Sequence, residues 1–310
     1  MGIANSIGRK TVAFANSVVN LIVLFLVLLL LVFGCYAIWD SRQVYNEANS
    51  IRYERYKPSI ESPSFQELQT INPDVFAWLT VYGTHIDYPV VQGSNNTRYV
   101  NTNAEGRYSL SGAIFLDYRN KPDFSDFNNI FYGHHMEKQA MFGEIGNFED
   151  RAYFNARKYG MLYYNGVEHG LEFFAFVSTD AYDTSVFRSA IYDPVEQQQF
   201  LDMLLEIAIN VRWDVPVSTD DRLVMLSTCS SSSTNGRHIL IGKIVDVVPE
   251  DSFYVEKPVS TLPTIDELPS LWEDTAPWLK ACIIFVPILI ILLAIILTYT
   301  KRRHRNHFED

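Results

Sequence analysis

Two long apolar runs, one near each end, leave a single stretch between them in which a water-exposed fold can form. Val18 to Ile38 (VVNLIVLFLVLLLLVFGCYAI) carries no charged residue and one amide, Asn20. At 1.5 Å rise per residue, about 20 such residues cross the hydrocarbon core of a bilayer. A cleaved signal peptide is the competing reading, because Arg9 and Lys10 precede the run. Signal peptides have apolar cores of about 7–15 residues and a small-residue cleavage site, so the longer run here predicts an uncleaved anchor. The second run, Leu279 to Tyr299, is interrupted by Lys280 at its edge and by Pro287. A lysine at that depth can snorkel, and a membrane helix tolerates proline where neighbours re-satisfy the freed carbonyl. Trp272 and Trp278 stand where an interfacial aromatic belt would, and Lys301, Arg302, Arg303 and Arg305 follow the run. Basic residues on the outer flank of both runs predict cytoplasmic termini and an external middle.

The middle, residues 40–276, holds 18 Lys/Arg against 34 Asp/Glu. So acidic a segment argues against nucleic acid as a partner. Cys35 lies in the first apolar run and Cys282 in the second, which leaves Cys229 without an external partner for a disulfide. A lone thiol in an oxidising compartment is either an inert buried group, half of an intermolecular bridge, or a reactive nucleophile. Composition alone does not separate these.

The spacing of Val44, Ala48, Ile51 and Arg55 predicts a helix leaving the first run over 41–56, stopped by Pro58 and Pro63. Ser64 and Glu67 then read as the capping box of a short helix, SFQELQTI. From there the texture is β. Strands are predicted at 78–81, 85–91, 112–117, 129–132, 160–164, 172–179, 223–228 and 238–248, with Asn165-Gly166 as a two-residue hairpin turn. Val195, Phe200, Met203, Leu204 and Ile207 recur at helical spacing between the sixth and seventh strands. Eight short strands with few helices fit a closed barrel or a sandwich.

A thiol-dependent acyl-transfer site needs a thiolate, an imidazole that moves protons, and donors for an oxyanion. Cys229 closes the seventh strand, LVMLSTC, and Arg237 stands at the start of the eighth, so both belong to one rim. A guanidinium there can hold a developing oxyanion; its bland alternative is a surface arginine. Of five external histidines, His134 and His135 end the fourth strand, whereas His85, His169 and His238 have no comparable context. No Cys/His/carboxylate set at metal-ligand spacing accompanies the pair, so proton transfer is favoured over metal binding, and no cofactor is implied.

These residues sit in a longer pattern. NPDVFAWLTVYGTHIDYPVVQG (72–93), SGAIFLDYRN (111–120), NNIFYGHHMEKQAMFGEIGNF (128–148), LSTC (226–229) and NGR (235–237) occur in order, and together resemble the class B sortases. The resemblance implies an eight-stranded β-barrel with N-terminal helices and a helix between strands six and seven. It implies His134, Cys229 and Arg237 as catalytic residues, with Thr228 and Leu226 shaping the substrate groove. It also implies transpeptidation: a C-terminal sorting signal of a secreted protein is cleaved through a thioacyl enzyme and joined to an amine of a peptidoglycan precursor or a pilin. Two features depart from the family. Met225 replaces the first threonine of the Thr-Leu-x-Thr-Cys motif, and the second apolar run is more usual in pilin-polymerising sortases.

The expected layout is a cytoplasmic N-terminus (1–17), a membrane helix (18–38), a helical extension (39–71), a catalytic domain (72–250), a tether (251–277), a second membrane helix (278–300) and a cytoplasmic tail (301–310). A surface cysteine protease without acceptor and a non-catalytic membrane-tethered binding domain are the rival readings.

Overall fold

The computed structural model describes residues 2–58, 64–136, 138–229 and 235–254. The second apolar run, most of the expected tether and the serine run Ser230–Ser233 lie outside the described residues. The chain divides into two compact units, 1–43 with 257–310, and 44–256. The described part of the first is the N-terminal portion of α1 (Gly2–Ala48), which is long and apolar enough to cross a membrane.

The second unit carries the rest. Where α1 ends, the side chain of Asn49 accepts from the Ile51 amide and opens a 3-10 turn, Ser50–Tyr56, so the helix expected over 41–56 is real but changes pitch. Next comes α2 (Ser64–Ile71), whose Ser64 hydroxyl donates to the Lys57 carbonyl rather than acting as the predicted capping box.

All eight predicted strands are present: β1 (Val75–Val81), β2 (Asp87–Val91), β3 (Ile114–Leu116), β4 (Asn128–Tyr132), β5 (Tyr159–Tyr164), β6 (Val167–Asp180), β8 (Leu223–Cys229) and β9 (Gly236–Val245). Between them stand α3 (Arg151–Ala156), α4 (Pro194–Ile207) and a two-residue strand, β7 (Asn210–Val211). The pairing order is β5-β1-β2-β3-β4-β8-β9-β6, and β6 returns to β5, so the eight strands close into a barrel. Closure removes the unpaired edges of an open sheet. β7 prolongs the ladder along the upper part of β6.

β6 begins five residues earlier than predicted, because the Asn165-Gly166 turn leaves no room for a loop. Both residues have positive φ, 51° and 82°, and Tyr164 pairs directly with Val167. α4 starts at an Asp193 cap that accepts from the Val195 and Glu196 amides, with Pro194 in its first turn.

Alternation along β8 and β9 divides the apolar side chains between two cores. Val224, Leu226 and Leu240 join the larger cluster with Leu79, Phe131 and Phe173, which fills the barrel. Leu223, Met225, Ile239 and Ile241 join Ile130 and Val177 on the face covered by Phe200, Leu201 and Leu204 of α4. Met225, the departure from the family motif, is thus a fully buried contact beneath α4. Each such side chain contributes about 1.5–3 kcal/mol of burial, which fixes both strands and their ends.

Candidate active site

The parallel pairing of β4 with β8 brings the site together. Tyr132 is the register partner of Ser227, and the Gly133 amide donates to the Ser227 carbonyl at 3.2 Å. Continuing that register sets His134 level with Cys229, two residues beyond the last pair. On the other side of β8 the antiparallel ladder pairs Cys229 with Arg237 and Thr228 with His238. His134 thus meets Cys229 and Arg237 at one rim, because β4 and β8 end toward it and β9 starts from it.

A groove of about 490 Å³ runs over this rim, lined by Val100, Tyr132, His134, Ser227, Thr228 and Arg237 among others. A second pocket of about 420 Å³ shares Ala181 and Phe187 with it and extends toward Arg119 and Arg188. The two together suit an extended peptide.

His134 is held by its ring. Nε2 lies 2.8 Å from the Val100 carbonyl oxygen, which can only accept, so Nε2 carries a proton and Nδ1 is left to exchange one. Gly112 lies directly behind that carbonyl. A Cβ there would stand 2.6 Å from Val100 O, and its φ is +60°, which favours glycine. His135 is not among the groove residues; it pairs with Met141 in a one-residue bridge. Burial pushes the pKa of His238 down, against the opposing effect of the Glu149 charge.

The Arg237 guanidinium donates to the Gly236 carbonyl at 3.1 Å and pairs with no carboxylate among the described residues. That separates it from Arg119, locked bidentately on Asp117, and Arg188, on Glu196. Burial works against ionisation of Asp117, but the Arg119 guanidinium, the Arg119 amide and Asn96 hold its carboxyl below the usual range. Asp117 also accepts from the Tyr132 hydroxyl at 3.1 Å, fixing one wall of the groove. Burial first, then the Asp117 charge, push the Tyr132 pKa up.

Thr228 is buried, lines the groove, and has a hydroxyl with no hydrogen-bond partner among the described residues; the same holds for Ser227. Leu226 differs from expectation. It is fully buried between Phe131 and Leu240 in the barrel core and does not line the groove. The remaining histidines have local partners: His85 contacts Glu144 at 3.1 Å, and His169 stacks on Tyr164 with ring centroids 4.3 Å apart. Among the described residues no three His, Cys, Asp or Glu side chains gather as a metal site.

Sequence reasoning missed Val100, Tyr132, Phe187 and the Asp117–Arg119 pair as parts of the groove. The pair lies in a quoted segment, SGAIFLDYRN, but nothing in its spacing reveals the contact.

The sortase-domain family model matches residues 79–245. Sortase B of Staphylococcus aureus is 31% identical over 187 residues, covering 60% of this chain and 76% of that one. Among solved structures, a sortase B from the type II pilus of Streptococcus pneumoniae is 46% identical, with a TM-score of 0.52, covering 59% of this chain and 99% of that one. A Streptococcus pyogenes class B sortase involved in pilus biogenesis is 42% identical, with a TM-score of 0.53, covering 58% and 97%.

Proposed function

This chain belongs to the sortase family, with class B sortases as its relatives, and from that premise we propose that its cysteine transpeptidation runs through Cys229, His134 and Arg237. The observation that carries the assignment is the shared rim: Cys229 is in register with Arg237, and His134 follows the end of β4, whose register with β8 runs toward Cys229.

The Cys229 thiolate attacks the carbonyl carbon of the scissile peptide bond and forms a C–S bond. Arg237, which has no carboxylate partner among the described residues, donates to the tetrahedral oxyanion. The C–N bond then breaks as His134 protonates the departing amine, leaving a thioester on Cys229. An incoming amine adds to that thioester and gives its proton back to His134. The C–S bond breaks, the thiolate returns, and a new amide is released. Thr228 forms part of the wall along which the peptide lies, and no cofactor enters any step.

The substrate in this reading is a C-terminal sorting signal of a secreted protein, and the acceptor an amine of a peptidoglycan precursor or a pilin. A Staphylococcus aureus sortase B has been solved with a substrate, and a sortase B with triglycine, which supports a peptide donor and an amine acceptor. The 46% and 42% identities to two pilus-associated enzymes favour the pilin. The proposed setting is a membrane protein with a catalytic domain over residues 72–250 outside the cell. α1 is one anchor, the run at 278–300 the second, and both termini are cytoplasmic.

A sorting-signal peptide and an added amine test this. Diversion of the acyl product from acid to amide supports transpeptidation. Acid alone, whatever the amine concentration, would favour a hydrolytic protease.

A further inference from the structure

We propose that Tyr88 is a positioning residue through which the segment 44–56, the end of α1 and the 3-10 turn after it, holds His134 in place. The proposal rests on His134 as the proton carrier. Tyr88 is 2% exposed, and its hydroxyl is hydrogen-bonded on several sides, with Ser50 among its partners. It donates to the Ala48 carbonyl at 2.8 Å, where α1 ends, and accepts from the Met141 amide at 2.9 Å. Met141 forms the bridge to His135, and the next amide, Phe142, donates to the His134 carbonyl at 3.0 Å. One hydroxyl therefore joins the end of α1 to the backbone of His134.

The loop between needs such support. Lys138, Gln139 and Met141 all have positive φ, 56°, 63° and 52°, where a Cβ crowds the neighbouring carbonyl. Backbone of this kind persists only where its surroundings over-determine it. The same N-terminal segment supplies a second contact, since the Lys138 ammonium lies 4.3 Å from the centre of the Tyr45 ring.

The imidazole is tied to that segment too. Val100, which accepts from Nε2, leads into a loop carrying Glu105, a carboxylate 7% exposed. Arg52 reaches it at 2.7 Å and Arg55 at 3.8 Å, both from the 3-10 turn after α1, and Arg107 joins them. Ring and main chain of His134 thus lean on one short stretch, which makes the geometry of proton transfer depend on that stretch staying docked. Small misplacements of a catalytic group are felt in turnover rather than in substrate binding.

Full-chain Tyr88→Phe keeps the ring and removes the hydroxyl with its bonds to Ala48, Met141 and Ser50. The expected result is a kcat lower by about tenfold with KM within about twofold, as for loss of a transition-state alignment. Tyr164→Phe serves as control. It deletes a buried hydroxyl that accepts from Arg222 at 2.9 Å and has no link to His134, so its kcat should equal that of the wild type. If Tyr88→Phe fails to fold, Arg52→Gln tests the second tie, and an unchanged kcat there overturns the proposal. Tyr88→Phe with wild-type kcat, or with no greater loss than Tyr164→Phe, overturns it while an inactive His134→Ala leaves the site assignment standing. An active His134→Ala would overturn both.

Discussion

Cys229, the last residue of β8, is the direct register partner of Arg237, the second residue of β9. A two-strand ladder thus sets the proposed nucleophile beside the proposed oxyanion donor. The third proposed group, His134, follows β4 by two residues, and the parallel register of β4 with β8, carried on by those two residues, brings it level with Cys229.

Arg237→Ala should lower kcat/KM for a sorting-signal peptide by about 10²–10³-fold, the usual cost of losing an oxyanion donor. Arg237→Lys should recover little, because a single ammonium does not reproduce the fixed fork of the guanidinium. Continuous cleavage of a quenched fluorescent peptide measures both. Activity of Arg237→Ala within a few-fold of wild type would remove the arginine from the mechanism.

Leu226→Ala should act on the barrel, not on substrate. Truncating a fully buried leucine costs about 2–5 kcal/mol of stability, while KM of the folded fraction stays unchanged. Denaturant unfolding combined with steady-state kinetics separates the two. A raised KM at full stability would return Leu226 to the groove.

Much of this is legible in the sequence, for identifiable reasons. Strand alternation and the Asn165-Gly166 turn announce themselves locally, and so does the isolation of Cys229 between two apolar runs. Register is not legible. Nothing local says that Tyr132 pairs with Ser227, so the level meeting of His134 and Cys229, and the choice of His134 over His135, need the fold or a family pattern. Leu226 goes astray for a related reason: it shares a face of β8 with Thr228, but two residues deeper, where Phe131 and Leu240 flank it and the barrel core encloses it. Val100 is invisible because its contribution is a backbone carbonyl.

Gly112→Ala should impair the enzyme through that carbonyl. A Cβ would press to 2.6 Å from Val100 O, at a φ of +60°. The expected outcome is a lower melting temperature together with reduced kcat, as the acceptor of His134 Nε2 is pushed aside. Thermal unfolding and peptide kinetics check it. An alanine variant equal to wild type in both would contradict the role given to Val100.

Stability should fall in acid in two stages. Burial holds His238 and His169 below the ordinary imidazole pKa, in the latter case with help from the Arg222 charge. Their contribution is therefore complete above about pH 6.5 and is lost as pH falls through the lowered values. Asp117 follows at lower pH. Its carboxyl pKa is depressed by Arg119 against the effect of burial, so its contribution is present above the ordinary carboxylate range and lost below it. Melting temperature across this range reads both stages, and His238→Gln should flatten the upper one. A melting temperature constant between about pH 7 and 5 would contradict the lowered pKa values of these two histidines.

The central claim is that Cys229 carries the acyl group. Intact-mass spectrometry of the full chain, mixed with a sorting-signal peptide and no amine, should show an adduct equal to the peptide's N-terminal fragment on Cys229. Added amine should remove the adduct and yield the corresponding amide. Cys229→Ala should show neither adduct nor product; amide formed by that variant at the wild-type rate would contradict the account.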